Sequence, residues 1–169
     1  MEILSPLSPI SISASSCLDD DEEVHGAIFL MNAASTVAGA DEDGSCWRSR
    51  GGEDSAYLTL HFSTRVNVVA VEISFAVGFA ARSMCVSGHV DEHHLDTAAI
   101  GDDMGGWNII TMIDDIDADA HGTQRFLLNT KKSTENSHVH DGFFALRFHF
   151  TKPTDLFGRL IVYRVAALG

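Results

Sequence analysis

The strongest constraint in this chain is a two-residue hydrophobic period that recurs along most of its length. The segment FFALRFHF (143–150) places Phe144, Leu146, Phe148 and Phe150 on one side, and Phe143, Ala145, Arg147 and His149 on the other. Successive side chains of a strand point to opposite faces, so this alternation fits a strand with one buried face and cannot serve a helix. YLTLHF (57–62) repeats the pattern with Leu58, Leu60 and Phe62 inward, and VVAVEISF (68–75) with Val69, Val71, Ile73 and Phe75 inward. Val66 and Val68 have the opposite parity, which predicts a bulge near Val68. SMCVSGHV (83–90), WNIITMI (107–113), TQRFLL (123–128) and RLIVYRVAAL (159–168) supply further strands, the last with Ile161, Tyr163 and Val165 on one face.

The segments between them are turn material, rich in Gly, Asp and Ser, and no convincing amphipathic helix interrupts the series. Acidic MIDDIDADAHG (112–122) reads as a loop, whereas VHGAIFLMNAAS (24–35) fits either a strand or a helical turn. Seven or eight short strands at this spacing predict an all-β fold, a single sandwich of jelly-roll type. Leu58, Leu60, Val71, Ile73, Leu146, Phe148 and Ile161 are its expected core. Residues 1–23, Ser- and Pro-rich and then acidic through LDDDEE, read as a disordered tail, with the domain occupying 24–169.

Charge narrows the function classes. A net charge of −13 opposes nucleic acid and anionic membrane surfaces, whose binding depends on clustered Lys and Arg. Eight of the eleven basic residues are Arg, the better residue for bidentate recognition of carboxylates. Three cysteines without Cys-x-x-Cys spacing, no Asn-x-Ser/Thr acceptor and no secretory n- and h-regions point to an intracellular, reducing compartment, cytoplasmic or nuclear.

The chemistry-bearing clusters are weak. His93, His94, His138, His140 and Asp141 offer zinc-type donors, but without a zinc signature they read as solvated loop residues. Asp41, Glu42, Asp43 and Ser45 offer hard oxygens suited to calcium, but the EF-hand spacing is missing. Cys46, beside Trp47 and Arg48, is either an activated thiol or a small buried residue. No nucleophile elbow, Walker motif or dinucleotide fingerprint is present, so no enzyme is expected and no cofactor is required. Trp47 itself, in the polar loop DGSCWRSRGG (43–52), either plugs the end of the core or stands out as a contact surface.

Asp43-Gly44, Cys46-Trp47, Tyr57-Leu58 and the apolar run Val66 to Phe75 together resemble the opening of discoidin-like domains. These are the coagulation-factor C-type members of the galactose-binding-like superfamily. GFAAR (78–82) and the closing TKPTDLFGRLIVYRV (151–165) are similar to a small intracellular subfamily named for association with an orphan nuclear receptor. Tyr57 stands where Trp is usual, and the C-terminal Cys of extracellular relatives is missing.

The resemblance implies a β-sandwich in which Trp47 packs under one end and holds its loop. It also implies that the loops at that end bind the ligand, whether sugar, lipid headgroup or protein, and that Asp41, Asp43 and Ser45 hold a structural Ca²⁺. Arg48, Phe79, Arg82, Phe157 and Arg159 are then the expected partner-binding residues, because Arg and aromatics are enriched at binding hot spots. Phe79 and Phe157 could instead plug the core, and Arg159 could brace its own turn against Asp155. The expected function is a non-catalytic interaction module for a protein partner, with a calcium-holding carbohydrate-binding module as the alternative.

Overall fold

The computed structural model describes residues 4–16, 46–52, 54–91, 106–128 and 142–169. Among these there is no helix, and nine strands form two antiparallel sheets. One sheet runs β1 (Ser11–Ala14), β3 (Ser55–Val66), β8 (Phe143–Pro153), β5 (Ala81–His89), β6 (Trp107–Ile113) across its width. The other runs β2 (Trp47–Arg48), β9 (Ile161–Leu168), β4 (Ala70–Phe75), β7 (Gln124–Leu127). Their inner faces meet in one core containing Leu58, Leu60, Val71, Ile73, Leu146 and Phe148, as the alternation predicts. Ile161 is the exception and is only partly buried.

The departures from strict alternation have specific causes. Val68 is buried and Val69 is exposed, the reverse of the expected parity. The irregularity falls just upstream, where the register of β3 against β8 shifts between His61 and Val66. The change at Val68 itself is a sheet crossing: β3 ends at Val66 in one sheet and β4 begins at Ala70 in the other. Residues 67–69 carry the backbone between layers, so the parity changes because the sheet changes. In β9, Val162 and Val165 are buried while Tyr163 is exposed. The register between β4 and β9 shifts between Ser74 and Phe75, which absorbs the extra residue and reverses the inward set. A second shift, between Val86 and Ser87 on the β5–β6 pair, leaves Ile113 buried and Ile109 exposed on one strand.

The amino-terminal segment corrects the expectation of a tail through residue 23, at least for residues 4–16. Ser5 and Leu7 donate to the carbonyls of Gly169 and Ala167, at 3.0 and 2.9 Å, and Pro6 bridges Leu168. The chain then crosses to β3, where Ser11–Ala14 pairs with Leu58–His61 as an edge strand and Ile12 packs on the core. Prolines are tolerated at such an edge because no ladder donor is needed from them. Residues 17–23 lie outside the described residues.

On the outer face of the smaller sheet, Glu72 is buried between two arginines. Arg125 donates from Nε and Nη2 to Oε1 at 3.0 and 2.6 Å, and Arg164 donates to Oε2 at 3.0 and 2.8 Å. Burial opposes the Glu72 charge, but these donors outweigh it and hold the carboxyl below its usual range. The triad ties β7, β4 and β9 together, so it is fully engaged within the fold.

Candidate binding surface at the loop end of the sandwich

Trp47 closes one end of the core. Its ring is buried, 6.3 Å from that of Phe150, and its Nε1 donates to the Ser16 carbonyl at 2.9 Å. The indole thus packs apolar surface beneath the loops and satisfies its one donor on the amino-terminal segment, as expected of a plug. Beside it, Cys46 is a buried free thiol, and Cys85 is a half-buried one whose ionisation burial suppresses.

Above Trp47 three segments converge. Residues 47–52 run along residues 157–161: Ser49 N donates to Leu160 O at 3.0 Å, and Leu160 N donates back to Ser49 Oγ at 2.8 Å. Gly52 N donates to Phe157 O at 2.8 Å. Gly51 takes φ of +79°, and a Cβ there would lie 2.6 Å from Arg159 Cγ and 2.8 Å from Phe157 O, so only glycine fits. The 76–80 turn joins from the other side, through Ile161 N to Phe79 O and Thr154 N to Ala80 O.

The 154–159 turn is locked by Asp155. Its Oδ2 accepts from the backbone N–H groups of Phe157 and Arg159 at 3.2 and 3.1 Å, and from Arg159 Nε at 2.9 Å; Oδ1 accepts from Arg159 Nη2 at 3.3 Å. The Arg159 guanidinium is the main reason the Asp155 carboxyl ionises below its usual range, and Asp155 in turn raises the value for Arg159. The guanidinium carbon also lies 5.3 Å from the Phe79 ring centre and 5.2 Å from that of Phe157.

Of the five residues expected from the sequence, Phe79, Phe157 and Arg159 form one cluster. Arg159 is the brace of its turn. Arg48 lies on β2 opposite Ile161, half-buried, and Arg82 is exposed on β5 next to Ala81, the partner of Pro153. Among the described residues neither Arg48 nor Arg82 makes an ion pair.

Sequence reading missed Leu156, which is 97% exposed, and its neighbour Phe157 is 69% exposed. Two adjacent apolar side chains on a turn look like ordinary strand-end residues until the turn's geometry shows them pointing to solvent. Asp41, Asp43 and Ser45, and His93, His94, His138, His140 and Asp141, lie outside the described residues. Among the described ones no three His, Cys, Asp or Glu side chains gather as a metal cluster, and no helix is long and apolar enough to cross a membrane.

Solved structures share this architecture end to end. A chitosan-binding module of a chitosanase/glucanase from Paenibacillus sp. IK-5 superposes with a TM-score of 0.64 at 13% identity, covering 99% of this chain and all of the other. The CBM32 of AlyQ, solved with 4,5-unsaturated mannuronic acid, gives 0.59 at 10% identity over 98% of each chain. A CBM32 of Clostridium perfringens, solved with GalNAc-β-1,3-galactose, gives 0.59 at 12% identity over 93% of each.

The fold is the discoidin-like, galactose-binding-like β-sandwich. In sequence, the chain is 26% identical to the mouse Nuclear receptor 2C2-associated protein over 129 residues, which cover 76% of this chain and 74% of the relative. No family model matches. Among the described residues, β6 and β7 continue the sandwich where the sequence motifs are weakest.

Proposed function

We propose that this discoidin-like domain is a non-catalytic intracellular module that docks a protein partner through the loop end of the sandwich. The observation that carries this reading is the exposed Leu156–Phe157 pair on a turn that Asp155, Arg159 and Gly51 hold rigid. Apolar side chains displayed on a preorganised turn lose little entropy on binding, which is what a docking knob needs. Arg48 and Arg82, which make no ion pair among the described residues, supply cations suited to acidic or polar groups on the partner. The relative's name, an associated protein, supports a protein partner.

The test is recovery of partners by the tagged full chain. Leu156→Ser with Phe157→Ser, and separately Arg48→Glu with Arg82→Glu, should abolish recovery while the melting temperature stays nearly unchanged, as for other surface changes. Normal recovery by both double variants would place the surface elsewhere.

A sugar reading is favoured by one observation, the sugar complexes among the fold neighbours. On that reading Asp41, Asp43 and Ser45 hold a structural Ca²⁺. Specific binding on a glycan array, with a melting temperature higher in millimolar calcium than in chelator, would support it through linkage. Equal melting temperatures and a blank array would dispose of it.

A further inference from the structure

The outer face of the larger sheet carries a second arginine between aromatic rings. Arg147 on β8 stands between Thr59 of β3 and Ser87 of β5, with Ile109 of β6 next in the same row. Its guanidinium carbon lies 4.1 Å from the ring centre of Trp107 and 4.5 Å from that of Tyr57. Nε donates to Thr59 Oγ1 at 3.1 Å. Among the described residues no carboxylate pairs with Arg147, and its Nη groups have no hydrogen-bond acceptor. Burial makes the charged form of Arg147 harder to hold, and its charge joins burial in depressing the neighbouring His149.

The surrounding residues keep the rings in place. His89 is buried, its Nδ1 lies 2.9 Å from Asp91 O and 3.3 Å from Asp91 N, and it meets Trp107 edge-on at 5.1 Å between ring centres. Gly106, at φ +81°, comes so close to His89 that a Cβ would lie 2.5 Å from Nε2. The next row of the same face runs Tyr57, His149, Cys85, Met112. Ile109 and Met112, 58% and 65% exposed, form an apolar margin beyond Trp107.

We propose that Arg147 is the centre of a second docking surface, one that binds a Glu or Asp carboxylate in an apolar segment of a protein partner. The guanidinium lies over two aromatic rings and Nε is committed to Thr59. The donors that remain are the in-plane Nη groups, and a carboxylate matches that geometry. A half-buried cation that has no counter-ion among the described residues, in a chain of net charge −13, is the complement of an acidic group. Ile109 and Met112 then take the apolar side chain beside it. A sugar fits less well, because stacking needs a free aromatic face, and Trp107 and Tyr57 each have one face under Arg147.

The test uses the full chain on an array of ten-residue peptides with a central Glu flanked by varied apolar residues, beside the same array with Gln. Selected peptides are then titrated against ¹⁵N-labelled protein. The proposal expects Glu peptides to bind at least about tenfold more tightly than their Gln counterparts. It also expects them to shift the Trp107 indole N–H while leaving that of Trp47 in place. Arg147→Lys should remove the Glu preference. Ile109→Ser with Met112→Ser, which keeps the arginine and changes only exposed side chains, should weaken every selected peptide. Equal binding of Glu and Gln peptides, no binding, or an oligouronate displacing the peptides from the Trp107 signal would each overturn it. Because none of these residues belongs to the loop end, failure here and failure of the loop-end surface are separate results.

Discussion

Arg159 and Arg147 each lie over two aromatic rings, yet among the described residues only Arg159 pairs with a carboxylate. At the loop end the Asp155 carboxylate takes the guanidinium of Arg159 and two backbone N–H groups, so the charge is spent on holding the turn. On the sheet face the rings come from Tyr57 and Trp107, and among the described residues the only side-chain acceptor is a hydroxyl, so no described carboxylate takes the charge. A paired arginine stabilises what it touches, whereas an unpaired half-buried one is a cost that recognition of an anion can offset. The same residue type in the same aromatic setting is therefore a structural brace in one place and a recognition group in the other.

The largest expected effect comes from beneath the braced end. Trp47→Ala should cost about 3–5 kcal/mol in denaturant unfolding, since it empties a buried ring site and leaves the Ser16 carbonyl without its donor. Gly51→Ala should cost about 1–3 kcal/mol, through a left-handed backbone and a clash with Arg159. Amide exchange should report the loss first across residues 49–52 and 155–160. If exchange there stays at wild-type protection, the turn is not braced through Gly51.

Acid should separate the two regions. His149 ionises below its usual value of about 6.5, because burial and then Arg147 oppose its charge. A base with a lowered folded value loses stability as pH falls from its unfolded value toward the folded one, so the sheet face weakens below about pH 6.5. Asp155 is lowered chiefly by Arg159, and its contribution is complete above about pH 3.9 and lost as pH falls further. Amide protection around β8 should therefore decline first and the 155–159 turn last. The reverse order would contradict the assignment of brace and recognition group.

The smallest effect is the sharpest contrast. Arg147→Met should leave unfolding free energy within about 1 kcal/mol of wild type or raise it, because an uncompensated cation gives way to apolar volume. Arg159→Met should lower it, because Asp155 is left without its main partner. Equal losses at both positions would mean that Arg147 is a brace as well.

Much of the fold was readable from the period-2 alternation alone. Leu58 to Phe62, Val71 to Phe75 and Leu146 to Phe150 took the faces that their spacing requires, since burying one face of a sheet leaves a residue no other choice. Trp47 was readable as a plug through its motif. The possibility that Arg159 pairs with Asp155 was also visible, because the two lie four residues apart in a short turn.

Four things were decided only by the tertiary structure, because each depends on strands remote in sequence. The parity break at Val68 could not be told from a bulge until the sheet crossing was seen. The inward set of β9 depended on a register shift against β4, which the β9 sequence does not encode. Ser5 to Ala14, with the composition of a tail, became ordered where β3 and β9 offered edges to pair with. Arg147 looked like one more outward residue of FFALRFHF; its site exists because β3 and β6, about fifty residues apart in the chain, bring Tyr57 and Trp107 to its two sides. Local spacing fixes which face a side chain takes, but its neighbours on that face come from strand order, and strand order is set by how the two sheets close over one core.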